Sequence, residues 1–213
     1  MKFLRALAMV FAFFVVAKAE TVTLFDGQTL DGWRKLGGPA TYEVEDGAIV
    51  GTYVETSENT FLATEAEYGD FVLDLDFKID PDVNSGIQFR SHSTPDYKNG
   101  RVHGYQAEID PADPRKMGGV YDEARRGWIH DVRDTDIGTS AAKAFKPDDW
   151  NHLRVEAIGD RIRTWLNDVP ISDFRDDRDA SGFIALQVHS VPAKFAGRKV
   201  RWKNLKLEDK SSQ

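Results

Sequence analysis

The chain has 213 residues, with 28 Lys and Arg against 35 Asp and Glu, a formal net charge of −7 and no cysteine. That balance argues against nucleic acid or an anionic membrane surface as a partner, and the absence of thiols excludes disulfides and a lipidated cysteine. With 41% hydrophobic and 11% aromatic residues, the chain has enough apolar material for one well-filled domain.

Lys2 and Arg5 precede an uncharged apolar run, Ala6 to Ala17, and Ala17-Lys18-Ala19 has the small-x-small form of a cleavage site. Residues 1–19 are therefore expected to be a secretory signal peptide. The run is about a dozen residues long, short of the roughly 20 that span a bilayer. The expectation is an exported protein, periplasmic or extracellular, with no stable membrane anchor. Cleavage would remove three cations and no acid, leaving a net charge of about −10. Residues 20–208 are expected to form one domain, and the polar tail 209–213 to fray. Nothing in the sequence sets the oligomeric state.

In chain order, Thr21–Phe25 is a short strand candidate, and Asp26-Gly27 and Asp31-Gly32-Trp33 read as turns around an aromatic. Tyr42–Glu45 and Ala48–Thr52 flank Asp46-Gly47, a strong hairpin signal. Asn59–Thr64 is a further strand. In Gly69–Asp80, Phe71, Leu73, Leu75, Phe77 and Ile79 alternate with mostly charged residues, the pattern of a strand with one wet face. Asn84–Ser91 and His103–Asp110 are strands followed by a Pro- and Gly-punctuated loop through Trp128. Residues 129–146 are polar and show no helical stripe. His152–Ile158 and Arg161–Asn167 form a second hairpin across Gly159-Asp160. Ser172–Asp179 reads as a charged loop, Gly182–Ser190 as a strand, and Lys199–Glu208 as a last strand with a bulge near Asn204. About a dozen short strands without a long amphipathic helix describe an all-β fold, a jelly-roll β-sandwich of two antiparallel sheets. Both ends of the domain are strands, so they can pair with one another.

Three strands carry polar groups where a plain sandwich would show generic solvated charge: Gln88 and Arg90, then Gln106, Glu108 and Asp110, then Gln187 and His189. Amides donate and accept toward hydroxyl groups, and Arg adds a rigid donor fork. If the three strands are neighbours, these side chains line one groove; if not, they are scattered surface residues. The segment Gly118–Trp128 adds Tyr121, Asp122, Glu123, Arg125, Arg126 and Trp128, aromatics and charges suited to a ligand with polar edges and apolar ring faces, as sugars have. The competing reading of Asp122 and Glu123 is that they cap that loop or pair with Arg125 and Arg126.

The stretches FDGQTLDGW, NSGIQFRS, HGYQAEID, GGVYDEARRGW, DDWNHLRVEAIGDRIRTWLND and GFIALQVHS resemble the 3-keto-disaccharide hydrolase family, and the resemblance spans essentially residues 20–208. It implies a concanavalin A-like jelly roll in an exported protein acting on glycosides oxidised at C3. Such substrates lose their aglycone by removal of the C2 proton, elimination across C1–C2 and hydration, which requires a base, a partner for the enolate oxygen and an acid for the leaving group. The expected catalytic residues are Glu108, His189, Arg90 and Asp122. Gln88, His103, Gln106, Tyr121, Arg125, Trp128 and Gln187 are expected to hold the carbohydrate. No HExxH or EF-hand spacing is present, and a divalent metal on His103, Glu108, Asp110 and His189, acting as a Lewis acid, stays open. Three other readings stand beside this one. A lectin-like module would use the same polar face without catalysis, and a structural sandwich would use it for nothing. A retaining endoglucanase would need the carboxylate series begun by Glu108-Ile109-Asp110, but its third member is absent, since Ala112 and Asp113 occupy the later positions.

Overall fold

The computed structural model describes residues 20–211; the expected signal peptide lies outside them, as do the last two residues of the tail. Asp46 and Gly47 both take positive φ, 50° and 73°, as a two-residue hairpin turn demands. They join β3 (Thr41–Glu45) to β4 (Ala48–Thr52). The second expected hairpin is also present, β11 (Asn151–Ile158) with β12 (Arg161–Leu166).

Two antiparallel sheets stack. The first has the order β13-β12-β11-β6-β15-β4-β3 with β1 joined to β15; β1 is Glu20–Thr23, β6 Phe71–Ile79, β13 Val169–Arg175 and β15 Lys199–Asp209. The second has the order β10-β9-β8-β7-β14-β5-β2. Its strands are β2 Trp33–Gly37, β5 Thr60–Thr64, β7 Ser85–His92, β8 His103–Ile109, β9 Val120–Glu123, β10 Gly127–His130 and β14 Phe183–Val188. The core lies between the sheets, where Leu73, Leu75, Phe77, Leu153 and Val155 of the first are buried in one cluster with Ile87, Phe89, Tyr105 and Ala107 of the second.

The two outer faces differ. On β6 the outward Asp74, Asp76 and Lys78 are partly exposed, giving the alternation of a one-sided sheet. On β8 and β14 every residue is buried, and on β7 every residue but His92. The centre of the second sheet is thus buried on both sides, although its edge strands β2 and β10 are not: its outer face carries a small apolar cluster of Phe61, Ala63, Val102, Phe183 and Ala185, and beside it a set of polar side chains bonded to one another.

Several expectations are corrected. The expected loop after Gly119 is a hairpin, β9 with β10, in which Tyr121 faces Trp128 edge-on at 5.4 Å. The charged stretch from Ser172 begins inside β13, which pairs with β12 through Arg175, because cross-strand pairs such as Arg161 with Asp173 satisfy its charges. Residues Asp136–Ala144 form a helix, α1, capped by the Thr135 hydroxyl accepting from the Gly138 amide. Its buried contacts are Gly138 and Ala141, so no apolar stripe marks it in the sequence. The last strand runs through Asp209, which pairs with Glu20 and Phe71, so the tail begins later than expected. The bulge at Asn204 is present, with φ 56° and a register shift between Lys203 and Lys206.

Candidate active site

Strand order settles what the sequence could not: β8, β7 and β14 are neighbours. Gln88 of β7 stands opposite Gln106 of β8, and Ala185 of β14 opposite Gln88, on the face turned away from the core. Their amides form a directed chain. The Ser91 hydroxyl donates to Gln88 Oε1 at 2.7 Å, Gln88 Nε2 to Gln106 Oε1 at 2.7 Å, and Gln106 Nε2 to Glu108 Oε2 at 2.9 Å. Asn84, just before β7, donates to the other oxygen, Glu108 Oε1, at 2.6 Å. Gly86 makes this arrangement possible, since a Cβ there would sit 2.4 Å from Gln106 Cδ. The carboxyl of Glu108 is therefore fixed at both oxygens by oriented N–H donors.

Glu108 is 6% exposed and lies at a cavity of about 300 Å³. Burial pushes its pKa up from 4.5 to about 7; the Asn84 and Gln106 bonds pull it down, and the neighbouring Asp110 charge adds to the rise. Gln106, Asp110, Tyr121, Trp128 and His189 line the same cavity, so the structure gathers five more residues singled out from the sequence. His189 Nδ1 lies 2.8 Å from the Ser190 carbonyl, which can only accept; the ring proton sits on Nδ1, and Nε2 is the free nitrogen of the neutral form. The lining also includes Glu123, noted in the sequence but not assigned to the site, and Asn59, Asn84, Arg101, Lys116 and Arg133, which escaped the sequence reading. Lys116 donates to Asp110 at 2.6 Å. Glu123 is buried, which raises its pKa, while Arg101 opposes the shift. Period-two spacing from Tyr121 along β9 would have found Glu123; Lys116 sits in a short 3-10 turn, Pro114–Lys116, whose direction no local pattern gives.

Other expected site residues lie elsewhere. Arg90, expected to be catalytic, has φ 44° within a bulge between Phe89 and His92. Its guanidinium donates to the carbonyls of Gly69, Gly159 and Asp179 and to Asp70, which makes it a buried tie between segments. Asp122 pairs with Tyr105 and so faces the opposite side of the sheet from Glu108. It is bound there by Arg125 and Arg126, while Arg125 also binds Asp179. Pairing with those arginines, the alternative reading for Asp122, is what the structure shows. His103 Nδ1 donates to the Arg101 carbonyl at 2.9 Å and its ring packs 4.0 Å from the Tyr97 ring, outside the cavity. Gln88 is wholly buried and uses its amide within the chain described above. Gln187 is wholly buried too, with neither amide atom bonded. Among the described residues no three His, Asp or Glu side chains are grouped as metal ligands, and no helix is long and apolar enough to cross a membrane.

The sequence profile of the 3-keto-alpha-glucoside-1,2-lyase-like domain matches residues 20–208. No curated protein matches the chain. Among solved structures, a candidate glycosyl hydrolase from Parabacteroides distasonis ATCC 8503 is 22% identical with TM-score 0.61, covering 89% of this chain and 93% of its own. The carbohydrate binding module CBM66 from Bacillus subtilis is 19% identical with TM-score 0.56, over 84% of this chain and 96% of that one. A Bacillus subtilis protein of unknown function with a galectin-like fold is 13% identical with TM-score 0.64, over 91% and 96%. At these identities the structural likenesses establish the fold alone.

Proposed function

The chain belongs to the 3-keto-alpha-glucoside-1,2-lyase-like domain family, and from that premise we propose that it cleaves 3-keto-glycosides with Glu108 as the general base. The observation that carries this reading is a buried carboxyl with a pKa of about 7, fixed by Asn84 and Gln106 at the cavity wall. A ketone at C3 acidifies the C2 proton. Glu108 takes that proton, the electron pair flows into the C3 oxygen, and the enolate re-forms the ketone as the C1–O bond breaks. The departing oxygen gains a proton to leave as the free alcohol, and water adds at C1 while the C2 proton returns. The sum is one glycosidic bond hydrolysed with one water consumed.

Each further role follows from position. Lys116, held by Asp110, supplies positive charge for the enolate oxygen. His189, when protonated at Nε2, donates to the leaving oxygen. Tyr121 and Trp128 offer ring faces to the sugar. The test is release of aglycone from a chromogenic 3-keto-glucoside and from the matching unoxidised glucoside. Release from the keto substrate alone, lost in Glu108→Gln, supports elimination. Release from the plain glucoside moves the case to ordinary glycosidase chemistry, and sugar binding without release would leave a carbohydrate-binding module, the activity named for CBM66, a neighbour with the same fold. Export to the periplasm or cell exterior is part of the same proposal, resting on the leader-like residues 1–19, and the N-terminal sequence of the secreted protein checks it.

A further inference from the structure

The amides that end on Glu108 begin at Ser91, and a bulge puts Ser91 there. Alternation along β7 gives Gln88 and Arg90 one face, but the bulge between Phe89 and His92 turns Arg90 inward and brings Ser91 round beside Gln88. Gly104 on β8 leaves room for it, since a Cβ there would stand 2.5 Å from the Ser91 hydroxyl. Ser91 and Gln88 are wholly buried and Gln106 is 2% exposed, so bulk water does not compete for their bonds. We infer that Ser91 and Gln88 are positioning residues for the base: acting through Gln106, they turn an N–H rather than an oxygen toward Glu108 and so keep it a carboxylate able to take the C2 proton. The inference rests on the reading of Glu108 as that base.

A glutamine amide turned end for end fills nearly the same space with donor and acceptor exchanged, so shape does not set its direction. Gln106 with its oxygen toward Glu108 would repel the carboxylate and suit only the protonated acid. Its N–H faces Glu108 because its oxygen is taken by Gln88 Nε2, and Gln88 points that way because its own oxygen is taken by the Ser91 hydroxyl. That hydroxyl has one proton and three oxygens around it, Gln88 Oε1 at 2.7 Å and the carbonyls of Phe89 at 3.1 Å and Tyr105 at 3.3 Å, and the shortest bond goes to Gln88. Ser91→Ala takes the proton away and leaves the two carbonyls, both acceptors, near the far end of Gln88. An amino group there is then favoured over an oxygen, both amides reverse, and Glu108 faces an oxygen. Glu108 is also faced by Asp110 from its own strand, Lys116 from the 3-10 turn, Tyr121 and Glu123 from β9, His189 from beyond β14, and Arg101 and Arg133 from loops. Among the described residues the Gln88 side chain bonds only Ser91 and Gln106, so a change at residue 91 reaches Glu108 through the amides.

The experiment measures the titration midpoint of the Glu108 carboxyl by carbon NMR, and the acid limb of kcat/KM on a 3-keto-glucoside, in the wild type, Ser91→Ala and Gln88→Leu. Both variants are expected to raise the midpoint and the limb together by about one pH unit, the scale of one hydrogen bond to a charged group. A role in packing alone would lower the melting temperature and leave the midpoint in place, and that result overturns the inference. If neither variant folds, the wild type decides the matter: nuclear Overhauser contacts should place the Gln88 amide protons beside Gln106 and away from the Ser91 methylene, and the opposite placement overturns the inference. If the midpoint moves while the limb does not, or no 3-keto-glucoside is cleaved, the amides act on Glu108 as inferred and the function proposed above fails instead.

Discussion

Substituting Glu108 by Gln is expected to make the protein more stable at alkaline pH while removing its activity. The unfolded chain loses the Glu108 proton near pH 4.5, but the folded protein holds it until about 7. Between those values the folded state binds more protons, so stability falls as pH rises, and the loss is complete above about 8. A shift of that size, at about 1.4 kcal/mol per unit, is worth about 3 kcal/mol against the ionised fold. Gln removes the charge, but its amide can accept from only one of Asn84 Nδ2 and Gln106 Nε2 while both donate in the wild type. Leaving one donor unmet returns about 1–2 kcal/mol. The net gain at pH 8 is about 1–2 kcal/mol, or roughly 2 to 8 °C in melting temperature for a domain of this size. Thermal melts of both proteins at pH 4.5, 6 and 8 measure it. At pH 4.5 the wild-type carboxyl is already neutral, and the advantage should vanish or reverse. A variant less stable than wild type at pH 8, or a difference independent of pH, would refute the account of Glu108 as a strained, buried base.

The same carboxyl sets an acid limb: kcat/KM on a 3-keto-glycoside should fall tenfold per pH unit below about 7, and a profile flat down to pH 5 would exclude Glu108 as the base. On the opposite sheet His152 lies 3.0 Å from both Asp74 and Asp76, and those hydrogen bonds raise its pKa from 6.5 to about 8. Its contribution to stability is therefore full below pH 6.5 and lost as pH rises through 8, so His152→Gln should flatten that part of the stability profile in melts. Arg90→Met should lower stability by about 3 kcal/mol in urea unfolding, because the carbonyls of Gly69, Gly159 and Asp179 and the Asp70 carboxylate lose a fully buried donor. If the folded fraction of Arg90→Met retains wild-type kcat, its role in tying segments together is confirmed; a collapse of kcat in fully folded protein would return Arg90 to the catalytic set.

The fold was legible because its information is local. Alternation on β6 and the Asp46-Gly47 turn name the strands and the hairpin directly, and a core of inward-facing aliphatics follows from them. The site was legible only as residue types. That Gln88 and Gln106 would meet follows from the pairing of β7 with β8, a property of the whole chain. Arg90 shows where alternation misleads: counting by two puts it beside Gln88, but the bulge at Phe89–His92 re-aims it into the body of the protein. Asp122 shows the reverse. Had Gly118–Trp128 been read as strands, alternation with Tyr121 would have sent Asp122 to the other face and placed Glu123 at the cavity.

The position of β15 constrains how the molecule is made. The last strand of the chain lies inside the first sheet, hydrogen-bonded to β6 on one side and to β4 and β1 on the other. Until residues 199–209 are available, β3-β4 and β6-β11-β12-β13 are two separate ribbons with open edges, and β1 has nothing to pair with. Folding of that sheet must wait for residues 199–209, and closing pairs as distant as Glu20 with Asp209 makes it slow. Loss of even the final turn and strand would leave exposed edges on both halves, a template for aggregation.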